Sequence, residues 1–102
     1  MPVTITSDDT GFTIKTEPAI STRWSCVTEI VAFKRDLLTT DMICLQFQLD
    51  DGTCIETDEE MIGYRALIDI VESKFELTPD WWSKVAFPSF NTKLSVIWSA
   101  ST

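Results

Sequence analysis

Four carboxylates stand within five positions of the segment IETDEEMIGY, residues 55–64: Glu56, Asp58, Glu59 and Glu60. Groups of this type could hold a hard cation through oxygen, or work as an acid–base pair. The rest of the chain gives neither chemistry its usual company. There is no histidine, which removes Ser-His-Asp and Cys-His constellations, imidazole proton shuttles and the commonest transition-metal ligand. The D-x-[DN]-x-[DN]-G spacing of an EF-hand is absent around Asp50, Asp51 and Gly52. Three glycines in all leave no phosphate-cradling loop, and neither G-x-x-x-x-G-K-[ST] nor G-x-G-x-x-G occurs. Two carboxylates could still serve a glycosidase-like cleft, yet no catalytic residue, cofactor or metal ligand is assigned from this sequence.

The same carboxylates fit a structural role. T-D-E-E at 57–60 has the spacing of a capping box, in which the Thr57 hydroxyl accepts from the Glu60 N–H and the Glu60 side chain reaches back to Thr57. Asp58 and Glu59 would then occupy a first helical turn, where the macrodipole favours negative charge.

The elements that would position these residues follow from periodicity. VTITS (3–7) and FTIKT (12–16) alternate around the turn residues DDTG and read as a β-hairpin, which Pro18 should stop. A short turn is expected near Trp24 and a strand from Glu29 to Asp36, where β-branched and aromatic residues gather. DMICLQFQLD (41–50) is the clearest strand, with Ile43, Leu45, Phe47 and Leu49 on one face. The turn D-D-G at 50–52 predicts a type I turn with a left-handed Gly in a G1 bulge, pairing Phe47 with Ile55. That register separates Cys44 and Cys54 by about 13 Å. No disulfide could then join them, and the three cysteines, Cys26, Cys44 and Cys54, read as reduced thiols of a cytoplasmic protein.

Tyr64, Leu67, Ile68, Val71 and Phe75 form an apolar stripe at helical spacing. LTPDWWSKV suggests a second, short helix with Thr78 as N-cap and Pro79 at its first position. A last strand is expected over 93–99, with Leu94, Val96 and Trp98 on one face.

Sixteen acidic against eight basic residues give a formal charge of −8. Such a balance repels nucleic acid and anionic membranes and suits a basic or neutral protein partner. No apolar run reaches the roughly 20 residues a bilayer demands, and the first residues have no signal-peptide pattern. Trp81 and Trp82 would point about 100° apart on a helix, so one could be buried and the other exposed; with Pro88 and Phe90 they form a candidate partner-binding patch.

The segment from Trp24 to Trp98 resembles a family of small, uncharacterised bacterial proteins, through W-S-C-V-T-E-I-V-A-F-K-R-D, T-D-M-I-C-L, the D-G turn before G-Y-R-A-L, and W-W-S-K-V-A-F-P-S-F. The resemblance implies a compact bacterial cytoplasmic domain and carries no catalytic residue. The element order is similar to PH-like modules, which end in their helix, whereas here Leu94–Trp98 follows it.

The expected fold is α+β: one domain over 1–102, with an antiparallel sheet of about five or six strands, bent or half-barrel, packed by one main helix (59–75) and a short second helix (79–85). The expected function is a non-enzymatic protein-binding or regulatory module. An immunity-type inhibitor of a basic toxin, and a small-ligand binder or enzyme using a sheet cavity, are the alternatives. An uncovered edge strand such as 93–99 could also pair two copies across a two-fold axis.

Overall fold

Alternation in the first residues produces the expected hairpin. The computed structural model describes residues 2–36, 41–86 and 94–100. In it β1 (Ile5–Ser7) and β2 (Gly11–Ile14) pair antiparallel. Asp8 makes the turn, its carboxylate accepting from the N–H groups of Thr10 and Gly11 at 2.8 and 3.1 Å. Beyond Pro18 the chain does not leave the sheet. It reverses, and β3 (Ile20–Arg23) adds to β2. This strand is short and mostly exposed, so no hydrophobic alternation announces it.

A 3₁₀ turn at Trp24–Cys26 redirects the chain into β4 (Val27–Asp36), followed by β5 (Asp41–Leu49) and β6 (Cys54–Asp58). With β7 (Ser95–Ser99) these form a four-stranded antiparallel sheet in the order β6-β5-β4-β7. Two separate sheets with seven strands therefore replace the single bent sheet of five or six, and neither closes as a barrel. The D-D-G turn behaves as expected. Gly52 has φ +90°, Leu49 N–H donates to the Thr53 carbonyl at 2.8 Å, and Phe47 lies opposite Ile55. Cys44 pairs with Asp58 and Cys54 with Gln48, four residues apart, and all three thiols are free.

Helix α1 spans Tyr64–Lys74, not 59–75, and the capping box does not form. Thr57 continues the alternation of β6, turns inward beside Ile55 and donates its buried hydroxyl to the Leu45 carbonyl at 3.2 Å. An inward position that can be satisfied across the sheet outweighs one local capping bond. The helix starts instead at Gly63, in the left-handed region at φ +95°, where a Cβ would lie 2.2 Å from the Ile5 carbonyl oxygen. The expected stripe is correct: Tyr64, Leu67, Ile68 and Val71 are buried, and Phe75 packs against them at the helix end.

Helix α2 (Trp81–Ala86) starts two residues later than its sequence suggests. The Thr78 hydroxyl and N–H both donate to the Ile97 carbonyl, so Thr78 anchors a strand rather than capping a helix, and Asp80 turns the chain at φ +59°. In β7 the buried residue is Ile97, while Leu94 and Val96 remain 59% and 54% exposed. A register shift between Ile30 and Val31 displaces the face expected from strict alternation.

One core cluster joins both sheets and both helices. Its spine is aromatic: Phe12 meets Trp24 and Phe47 at centroid distances of 5.2 and 4.9 Å, Trp24 meets Phe75 at 5.8 Å, and Phe75 meets Trp98 at 4.5 Å. Each contact adds about 0.5–1.5 kcal/mol beyond the area it buries.

Candidate functional site

The four carboxylates of residues 56–60 lie along and beyond β6, an outer strand of the larger sheet. Alternation turns Ile55 and Thr57 into the core and leaves Glu56 and Asp58 on the opposite face. Glu56 receives Arg35 at 2.8 Å, a partly exposed pair that raises the arginine's pKa through the hydrogen bond and its charge. Asp58 accepts from the Glu60 N–H at 2.9 Å and shapes the turn that leaves the strand. At the other end of β6, Asp50 and Asp51 form the hairpin turn, and the hydroxyl and N–H of Thr53 hold the Asp51 carboxyl below its ordinary range. Asp50, Asp51, Asp58, Glu59 and Glu60 have no ion-pair partner among the described residues.

Glu59 is fixed in place. Where β6 stops, one of its carboxylate oxygens accepts from the Ile43 N–H at 2.6 Å, satisfying a strand donor that has lost its neighbour. The second oxygen has no hydrogen-bond partner among the described residues. Beyond it lies a shallow groove of about 410 Å³, lined by Glu59, Met61, Tyr64, Arg65, Ile68 and Trp82. A carboxylate and an indole facing one groove suit a cationic side chain, through charge and a cation–π contact together. The Tyr64 hydroxyl is buried without a hydrogen-bond partner among the described residues, and burial, with Cys44, Glu59 and Asp58 nearby, pushes its pKa up.

The two tryptophans divide their work. Trp81 is 4% exposed and donates from its indole N–H to Glu72 at 3.2 Å, tying α2 to α1. Trp82 is half-buried, stacked edge-on against Trp81 at 5.4 Å, and borders the groove. Pro88 and Phe90 lie outside the described residues. The structure thus joins Trp82 to Glu59, two residues that sequence spacing gave no reason to connect.

A larger open cleft, of about 630 Å³, lies between the β1–β2 turn, β3 and the β5–β6 turn. Its polar groups largely satisfy one another: the Thr13 and Ser21 hydroxyls bond at 2.8 Å, and Asp8 is engaged by its own turn. Among the described residues no group of three or more cysteine and carboxylate side chains converges as a metal site. No helix among them is long and apolar enough to cross a membrane.

No family model, curated protein or solved structure matches the chain.

Proposed function

We propose that the protein is a non-catalytic binding module for a basic or neutral protein, and that it binds along the carboxylate strip running from Asp50 to Glu60. One observation carries this reading. Six carboxylates flank a single outer strand and, among the described residues, only Glu56 has a cation beside it. Uncompensated charge of one sign speeds the approach of an oppositely charged partner and sets its orientation. Trp82 at the end of the strip supplies the rigid aromatic surface on which binding energy concentrates. An inhibitor of a basic toxin would be one form of such a module. Membership of the small bacterial family and a cytoplasmic location belong to the same proposal and rest on the sequence patterns quoted above.

The test is capture of partners from native lysate by the full chain, in low and in high salt, beside an Asp50→Lys, Glu60→Lys variant whose substitutions are both exposed. A stoichiometric partner held by the wild type, and lost both in high salt and by the variant, is expected. Equal retention by the two proteins would move the binding surface elsewhere.

A further inference from the structure

The phase of the β5–β6 ladder decides which backbone groups of β6 are free. Leu49 N–H donates to the Thr53 carbonyl, and antiparallel pairs alternate between bonded and non-bonded positions. Phe47–Ile55 and Leu45–Thr57 are then the bonded pairs, while the N–H and C=O groups of Cys54 and Glu56 point away from β5. No described segment meets them. Four backbone groups, at every second residue, thus face outward with the spacing of a strand.

The other edges differ. β1 is joined by Ile62, which exchanges hydrogen bonds with Val3 and Ile5, β7 has its Ile97 carbonyl occupied by Thr78, and β3, the outer strand of the smaller sheet, has no acid among its residues. On β6 the protection is electrostatic only. Glu56 and Asp58 stand on its outer face, with Asp50 and Asp51 at one end and Glu59 and Glu60 at the other. A second copy pairing through its own β6 would bring like charges together, which opposes self-association. A strand carrying cations at alternate positions would instead place them against Glu56 and Asp58 while its backbone completes the ladder.

We infer that β6 accepts an extended lysine- or arginine-bearing segment of another protein as a fifth strand of the larger sheet. This rests on the reading of the acidic strip as a protein-binding surface and specifies the form of the partner. β6 has five residues, or about 17 Å of strand, so a segment of about six residues covers it. Apolar residues alternating with the cations would face the side of the sheet on which Ile55 is buried.

Amide exchange of the full chain, followed residue by residue in NMR spectra, tests this with two capped hexapeptides. One alternates lysine and valine; the other is the same sequence with its backbone nitrogens methylated, with the same charge but without the donors that would face β6. With saturating lysine–valine peptide the amides of Cys54 and Glu56 should exchange about tenfold more slowly, with the methylated peptide leaving them unchanged. If both peptides shift resonances of residues 50–60 equally without slowing those amides, strand addition is wrong and the acidic strip remains a binding surface. If neither peptide shifts them, both readings fall. Slowing that follows protein concentration without peptide, with a larger species in sedimentation, would make a second copy the occupant and overturn the inference.

Discussion

The larger sheet has two outer strands, and they solve the same problem in opposite ways. At β7 the exposed side chains are aliphatic, Val96 and, just before the strand, Leu94, but one edge group is taken: Thr78 reaches the Ile97 carbonyl through both its N–H and its hydroxyl. Along β6 no described segment meets the outward backbone groups, and the side chains that surround them are acidic. A carbonyl that is already taken is lost to every partner. A charged edge is closed only to partners of its own sign, so it keeps the selectivity that the first arrangement gives up.

The contrast depends on how the chain leaves β6, and the largest test of it is Gly63→Ala. A side chain there meets the Ile5 carbonyl and must adopt φ +95°, so a loss of about 3 kcal/mol is expected in urea unfolding. Unchanged stability would show that Gly63 does not fix the exit from the strand. Alkaline pH should weaken the same end of the sheet. Burial pushes the Cys44 thiol, opposite Asp58, up to about 11, and raises the Tyr64 hydroxyl in the same direction. Both pKa values are raised on folding, so the native state prefers the protonated forms. The Cys44 contribution is complete below about pH 9 and is lost as pH climbs towards 11, while that of Tyr64 begins to be lost only above its ordinary value of about 10. Unfolding midpoints measured from pH 8 to 10.5 should fall, and Cys44→Ala should flatten the decline. Smallest of the three, Thr57→Val keeps the shape of an inward residue and removes its bond to the Leu45 carbonyl. It should cost about 1 kcal/mol by the same denaturation assay. If instead the helix content falls, the capping role that Thr57 does not play in this structure would have to be reconsidered.

Where one face is buried and the neighbouring turn has a fixed geometry, the sequence was readable. DMICLQFQLD alternates because β5 has a core face, and D-D-G admits one register, so the pairing of Phe47 with Ile55 could be worked out before any coordinates. The stripe from Tyr64 to Phe75 was readable for the same reason. Other elements depend on partners far along the chain. Nothing near β3 marks it as a strand, since its place comes from the neighbouring hairpin and most of it faces outward. Thr57 and Thr78 both look like helix caps locally, and both are claimed by distant carbonyls, of Leu45 and Ile97. At the candidate site the carboxylates were visible and their setting was not: the unpaired backbone of β6 and the approach of Trp82 to Glu59 exist only once the sheet and helices are assembled. A short, turn-bounded strand with acids on alternate positions was the signal that could have found the edge.

The strand order also sets a sequence of events during synthesis. β4, β5 and β6 follow one another and can form their meander from local contacts, whereas β7 pairs with β4 only after both helices have been made. In that interval β4 is itself an outer strand, with Ile30 and Val31 beside an unfilled position, and the growing chain shows an aliphatic margin on one side and an acidic one on the other. Nascent chains meeting one another at that stage would repel through β6 while β4 waits for its neighbour.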